Sequence, residues 1–120
     1  MSDFRKLTVW QKAHRLTLEI YRATATFPQA ELYGLTSQMR RCCVSIGSDI
    51  AEGCGRSSEI EKARFLGIAK GSASELEYQV LVSCDLGYLD PETGRRIMQQ
   101  VQEVGRMLTS LTDKVRAATA

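Results

Sequence analysis

The last quarter of the chain carries the feature that most restricts its fold, an apolar stripe at helical spacing. Steps of three and four residues separate its members, which are Ile97, Val101, Val104, Leu108, Leu111 and Val115. This spacing places all six side chains on one face of an α-helix. Burying them contributes on the order of 9–18 kcal/mol before chain entropy is subtracted. A stripe of this size has to be covered by other helices.

Three earlier segments are also amphipathic and supply those partners. Only two prolines interrupt the chain, Pro28 and Pro91, and both stand where a helix would end or begin. Ser58 followed by Glu61 is a capping-box pattern, which predicts a helix start. The predicted helices span about 8–26, 34–54, 58–86 and 91–117. Short connections between four helices favour an all-α fold, an antiparallel up-down-up-down four-helix bundle in a single domain over 1–120.

Composition excludes several classes of protein. With 43% hydrophobic and 25% charged residues, the chain has the balance of a globular protein. No apolar run approaches the roughly 20 residues of a membrane span, and the first residues lack the apolar core of a signal peptide. Four cysteines without a C-x-x-C pair predict reduced thiols that pack as small apolar residues. We therefore expect a cytoplasmic protein with no membrane partner.

Residues with catalytic or metal-binding chemistry are few. Di-iron bundles use Glu-x-x-His pairs, but His14 is the only histidine and no glutamate precedes it at that spacing. Glu52, Glu75 and Glu77 therefore lack the partner that such a site requires. A nucleophilic serine or cysteine would need the same histidine as its base. We expect no enzyme activity, no cofactor and no metal.

The second predicted helix has an arginine pair near its start, and Glu52 and Arg56 stand among glycines at its other end. At its far end, Glu52 and Arg56 join Glu75 of the next helix in a predicted structural polar cluster that holds the turn between the two helices. At its start, Arg40 and Arg41 stand where the helix dipole disfavours cations. Either a carboxylate partner or an anionic ligand such as a phosphate would compensate, and the sequence leaves both open.

Charge is unevenly distributed, although the net charge is only +2. Residues 1–30 hold five basic and two acidic side chains, while 58–87 hold three basic and five acidic ones. Such a layout suits either nucleic-acid contact or association between subunits. The predicted nucleic-acid contacts are Lys12, Arg15, Arg22, Arg40 and Arg41.

Two glycines, Gly67 and Gly71, lie in the interior of the third predicted helix. Each costs about 1 kcal/mol relative to alanine, so their presence requires a reason. The simplest is close approach of a neighbouring helix, from the same bundle or from another subunit. Several apolar residues also lie off the main stripes, where a monomer would expose them: Val9, Leu18, Ile68, Tyr78, Val82, Met98 and Met107. We therefore expect a homo-oligomer.

The order of motifs along the chain resembles a known family. The motifs are Phe27-Pro28, Tyr33-Gly34-Leu35, Arg40-Arg41, Ile50-Ala51-Glu52-Gly53, Gly55-Arg56, Gly71-Ser72 and Glu75-Leu76. In this order, from about Leu7 to Leu111, they resemble the bacterial four-helix-bundle proteins encoded in 23S rRNA intervening sequences. The resemblance implies a left-handed bundle that assembles into a ring of five subunits. It implies no activity, because the family is named for where some of its genes lie.

The chain departs from the usual pattern of that family at three places. Cys42 and Cys43 stand where alanines are common, Gly47 where proline is frequent and Asp49 where asparagine is typical. The two cysteines and the glycine are tolerable in packing. The added negative charge of Asp49, next to Glu52 on the same helix, counts against phosphate binding on that face.

These features together predict a non-enzymatic, cytoplasmic, oligomeric four-helix bundle. Its expected partners are copies of itself, in a homopentamer by the resemblance, and RNA or DNA bound weakly and without sequence specificity through a basic surface. The alternative is a protein-interaction scaffold or accessory subunit that binds a partner protein and no nucleic acid.

Overall fold

Four α-helices dominate the computed structural model, which describes residues 3–119. They are α1 (Thr8–Thr24), α2 (Leu35–Cys54), α3 (Glu59–Asp85) and α4 (Pro91–Ala117). Two short 3-10 helices, Phe4–Lys6 and Gln29–Glu31, precede α1 and α2. No β-strand occurs among the described residues. The predicted all-α class with four helices is therefore confirmed.

Each helix packs against two others around one apolar core. α1 contacts α2 and α4, and α3 contacts the same two helices. The molecule measures 46 × 22 × 20 Å, so the 27-residue helices, about 40 Å long, lie along its long axis. Its largest fully buried side chains are Leu16, Ile20, Met39, Ile46, Ile50, Leu66, Leu76, Val80, Ile97, Val101, Val104 and Leu108. Within residues 3–119, no helix combines the length and apolar character needed to cross a membrane.

The starts of α3 and α4 follow their sequence signals. Ser58 Oγ accepts a hydrogen bond from the Glu61 backbone N–H at 3.2 Å, which confirms the predicted cap of α3. Asp90 Oδ1 accepts from the Thr93 N–H at 2.9 Å, and Pro91 occupies the first position of α4. Both caps satisfy backbone donors that a helix start leaves unpaired.

One helix end differs from the prediction. α1 ends at Thr24, two residues early, because 3-10-type hydrogen bonds tighten the chain ahead of Pro28. In α2, Gly53 is buried one residue before the last, Cys54. A β-carbon there would lie 3.2 Å from Phe65 Cβ, so this glycine lets α2 and α3 approach closely. Gly55 caps the end of α2.

The buried face of α1 also differs from the prediction. Val9, which the periodicity placed off the stripe, is 4% exposed and belongs to the core. Trp10, the next residue along α1, is only half-buried. The 3-10 helix before α1 explains this, because its Phe4 ring packs edge-on against the Trp10 ring, with 5.0 Å between the centroids.

Candidate functional site

The side of the bundle formed by α1 and α4 carries most of the unpaired positive charge. Lys12 Nζ lies 3.2 Å from Glu103 Oε1, and Arg96 Nη2 lies 2.6 Å from Glu19 Oε1. Six further cations are exposed there, and none has a carboxylate oxygen within 4.0 Å among residues 3–119: Arg15, Arg22, Arg95, Arg106, Lys114 and Arg116. We call these six residues the basic side.

Charge counts by helix separate the basic side from the rest of the bundle. α1 holds three basic and one acidic side chain and α4 holds five and three, so each contributes +2. α2 is neutral, and α3 holds three basic and five acidic side chains, or −2. The cations of α4 were not among the predicted nucleic-acid contacts. A charge count over 91–117 would have found them, but only the packing of α4 against α1 shows that they extend the charge of α1.

Arg40 is engaged within the chain. Its Nε donates to Thr24 Oγ1 at 2.9 Å, and its Nη2 donates to the Tyr21 carbonyl oxygen at 3.3 Å. The guanidinium carbon also lies 4.8 Å from the centre of the Tyr21 ring. These acceptors belong to the last turn of α1, where the helix dipole favours a cation. Because α2 begins at Leu35, Arg40 also lies beyond the first turn, where the dipole of its own helix disfavours it little.

Arg41 faces an open groove between α2 and α3, with a volume of about 810 Å³. It has no carboxylate partner within 4.0 Å in the described part of the chain. Glu75 lines the α3 wall of the same groove, and the Ser45 and Ser72 hydroxyl oxygens lie 3.2 Å apart across it. The groove therefore combines one free cation with one carboxylate and offers a polyanion little net charge.

The predicted structural polar cluster is divided in the structure. Arg56 Nη2 donates to Glu52 Oε2 at 2.9 Å, and the Arg56 guanidinium carbon lies 4.9 Å from the centre of the Phe65 ring. Glu75 is not part of this group, because α3 starts at Glu59 and runs without a break, which places residue 75 about 24 Å farther along its axis. Only the Glu52–Arg56 pair lies at the turn between α2 and α3.

The cysteine thiols are held in their protonated form. Burial, reinforced by the negative charge of Glu75, raises the pKa of Cys42 from 9.0 to about 11. Burial likewise raises the pKa of Cys43 from 9.0 to about 11, and it raises the pKa values of Cys54 and Cys84. All four are free thiols. Among residues 3–119, no three His, Cys, Asp or Glu side chains are placed to hold a metal ion.

Cys42 and Cys43 are expected to resist alkylation in the native protein at about pH 8. A thiol pKa of about 11 leaves a thiolate fraction roughly a hundredfold below that of an ordinary cysteine. Iodoacetamide labelling followed by peptide mass spectrometry measures this, and the same reaction in concentrated urea should label all four cysteines. Labelling of Cys42 as fast as that of the partly exposed Cys84 would contradict it.

Because of the same two thiols, the free energy of unfolding is expected to depend on pH in the alkaline range. Their pKa values are higher in the folded chain than the ordinary value of 9.0, so the folded state holds the protons more tightly. The corresponding stability is fully present below about pH 9 and is lost as the pH rises toward 11.

Aromatic rings form a second surface feature where α1 meets α2. The Trp10 and His14 rings are stacked, with centroids 4.9 Å apart and planes 7° from parallel. Phe4 meets the Trp10 ring edge-on. We call Phe4, Trp10 and His14 the aromatic stack. From the sequence, His14 was considered as a metal ligand and as a catalytic base. The four-residue spacing of Trp10 and His14 on a helix also indicates that their side chains meet.

A family model described as 23S rRNA-intervening sequence protein matches residues 5–110. The chain belongs to this family. The resemblance carried by its motifs is therefore confirmed. Comparison with curated proteins finds no match.

Among solved structures, this member of the 23S rRNA-intervening sequence family is similar to a Bacteroides thetaiotaomicron VPI-5482 protein. That crystal structure is of a protein with unknown function from the S23 ribosomal protein family. The two share 23% sequence identity, and the alignment covers 88% of this chain and 98% of that chain with a TM-score of 0.79. At this identity the likeness shows the fold alone, so function has to be argued from the surfaces of the molecule.

Proposed function

We propose that this family member is a non-enzymatic protein that assembles with copies of itself and binds RNA or DNA weakly, without sequence specificity. The basic side carries the nucleic-acid part, because its six exposed cations have no carboxylate partner among residues 3–119. Such cations bind phosphates regardless of base sequence. The proposal places the protein in the cytoplasm, where its four thiols would stay reduced.

The five predicted contacts differ in how well they suit this role. Arg15 and Arg22 are exposed and unpaired among the described residues, and we retain them. Lys12 forms an ion pair with Glu103, and Arg40 donates a hydrogen bond to Thr24 at the end of α1. Arg41 is exposed but belongs to the groove that also contains a carboxylate. The proposed contacts are therefore Arg15 and Arg22 together with the cations of α4.

Replacing Arg15 and Arg22 with glutamine is expected to weaken binding to RNA of any sequence. Each lost phosphate contact should lower the slope of log K against log salt by about 0.7 for single strands and about 0.9 for duplexes. Fluorescence anisotropy with labelled RNA over a salt series measures both effects. Lys70→Gln is the control, because it removes one exposed charge from the acidic helix α3. No binding by the parent protein at low salt would refute the proposal.

For the architecture, we propose the antiparallel up-down-up-down arrangement. Lys12 near the start of α1 pairs with Glu103 in the middle of α4, while Glu19 farther along α1 pairs with Arg96 near the start of α4. Chain connections of 25–34, 55–58 and 86–90 link consecutive helices. Opposite directions along α1 and α4, and connections this short, both support the arrangement.

For the assembly, we propose that a second copy packs on the outer face of α3. Steps of four and three residues along this helix connect a set that we call the α3 seam: Ile60, Arg64, Gly67, Gly71, Ser74, Tyr78 and Leu81. Ile60 and Tyr78 are 71% and 66% exposed although α3 is also apolar on its core side. A seam of this period matches the surface that helices use to pack side by side.

The glycines of the α3 seam support the same proposal. A β-carbon on Gly67 or Gly71 would meet nothing within 4 Å, so neither glycine accommodates a helix of its own bundle. Of the two reasons predicted for them, the open space around both glycines supports close approach by another subunit. The acidic α3 and the basic α1 and α4 also offer complementary charges for contact between different faces, which forms a ring when the rotation between subunits closes.

The ring of five subunits that the family resemblance implies can be tested by measuring the mass of the protein in solution. Light scattering at micromolar concentration is expected to give five times 13.4 kDa, or about 67 kDa. A mass of one chain would refute the assembly, and a different multiple would refute the pentamer alone.

A protein-interaction scaffold is the second candidate function, and the exposed apolar side chains of the α3 seam favour it. Purification from the native host separates the two candidates. Co-purifying nucleic acid, seen as absorbance at about 260 nm that ribonuclease or deoxyribonuclease removes, supports the first. A stoichiometric second polypeptide without nucleic acid supports the scaffold.

A further inference from the structure

We infer that the aromatic stack binds an unpaired base, so that the protein prefers single-stranded nucleic acid to duplex. This inference rests on the proposed nucleic-acid binding and names the form of nucleic acid that is bound. Backbone contacts from cations do not distinguish bases that are paired from bases that are free, whereas stacking on an aromatic ring requires a base outside a duplex.

The stack presents an open end. His14 covers one face of the Trp10 indole, and Phe4 makes a T-shaped contact with the same ring. His14 is itself exposed, and no other ring among residues 3–119 packs against it. The outer face of the His14 imidazole therefore offers a place for a planar base to stack.

A cavity beside the stack gives the base a place to lie. Its volume is about 350 Å³, within the range of sites that hold small planar molecules. The aromatic stack lines one wall, and Gly47 and Ser48 of α2 lie on the other. The Trp10 indole nitrogen faces Gly47, where an added β-carbon would be in ordinary contact with it at 3.6 Å. The indole N–H donates to no acceptor in the described chain, so this wall of the cavity keeps an unused hydrogen-bond donor.

Positively charged side chains flank the cavity, where the neighbouring nucleotides of a bound single strand would lie. Arg5 lies over the Phe4 ring, with its guanidinium carbon 5.6 Å from the ring centre, and its contact with Asp3 is a long 3.6 Å. Arg15 follows His14 on α1. Val44 lines both this cavity and the groove that contains Arg41, so the two depressions adjoin. The arrangement of stacking platform and flanking cations is that of non-specific single-strand binding.

Trp10 is the only tryptophan, so its fluorescence reports directly on the stack. The probe is an oligouridylate of about 12 nucleotides, within the usual site sizes for single strands. We expect it to quench Trp10 emission at low salt and the matching adenylate–uridylate duplex to leave the emission unchanged. Uridine monophosphate at the same base concentration should not quench, and quenching by it would overturn the single-strand assignment in favour of a free nucleotide.

Variants test the stack independently of fluorescence. His14→Ala is expected to weaken oligouridylate binding about 5- to 100-fold in an anisotropy titration and to leave duplex binding unchanged. Tyr33→Ala is the control, because it removes an aromatic ring that is 92% exposed on a loop outside the cavity. Circular dichroism checks that both variants keep the parent helix content.

The outcomes separate this inference from the function on which it rests. Equal affinity for single strand and duplex without quenching would overturn the inference and leave the basic side as the binding surface. Equal losses for both nucleic acids in His14→Ala would overturn it in the same way. Failure of the parent protein to bind either nucleic acid would overturn the proposed function, and the inference with it.

Discussion

Gly94→Ala is expected to be less stable than the parent protein in urea denaturation. A β-carbon on this residue would lie 2.5 Å from Cys84 Sγ, so the two helices or the cysteine side chain must shift. Gly94 is buried where α4 starts beside the end of α3, which leaves little room for that shift. Such overpacking costs about 1–3 kcal/mol. Alanine gains up to about 1 kcal/mol over glycine in helix propensity. The steric cost is expected to exceed this gain, so the variant is less stable than the parent.

A second substitution in the same contact should reverse the effect. Cys84→Ala removes the sulfur and leaves Leu89 Cβ and Cys84 Cβ at 3.9 and 4.0 Å from the new β-carbon, which are ordinary contacts. The double variant is therefore expected to be more stable than Gly94→Ala, with a coupling free energy of about 0.5–3 kcal/mol in a double-mutant cycle. A Gly94→Ala protein that is more stable than the parent would show that α3 and α4 do not approach this closely.

The local signals in the sequence were sufficient for the class of fold. The apolar stripe of α4 and the caps at Ser58 and Asp90 depend on residues within one or two turns of each other. Where a residue's environment came from another element, the prediction was less accurate. Nothing in the segment around Gly53 shows that Phe65 packs against it. Val9 was placed off the apolar stripes, although it is buried in the core.

The candidate site was harder to predict than the fold for the same reason. The charge of α1 is visible in the sequence, but its continuation on α4 depends on which helices pack together. Arg40 is conspicuous as half of a pair, yet its partners are 16 and 19 residues earlier, at the end of α1. Glu75 was grouped with Arg56 by charge alone, and the length of α3 separates them. Spacing within a helix is local information, whereas a surface is made by several helices.

Gly67→Ala combined with Gly71→Ala is expected to stabilise the individual chain and to break up the assembly. The chain itself has open space around both positions, so alanine causes no clash within one subunit. Each substitution then gains up to about 1 kcal/mol of helix propensity, and the pair should raise the melting temperature by several degrees. If a second copy packs its backbone against the α3 seam, two added methyl groups hold it away.

Gly105→Ala supplies the matched control on α4. A β-carbon there also meets nothing within 4 Å, but the residue lies outside the α3 seam. It should stabilise the chain about half as much as the pair, since one glycine is replaced instead of two, and leave the mass by light scattering unchanged. Because dissociation lowers apparent stability at a fixed protein concentration, both variants have to be melted across a dilution series.

The two readouts together decide what the glycines of α3 do. Higher monomer stability with loss of mass is the expected pair of results, and it would mean that helix propensity is sacrificed for contact between subunits. Higher stability with an unchanged oligomer would show that close approach occurs elsewhere on the molecule. Lower stability would contradict the open surroundings of Gly67 and Gly71 within the chain. Contact between subunits would explain why α3 carries a propensity loss of about 2 kcal/mol at an exposed surface.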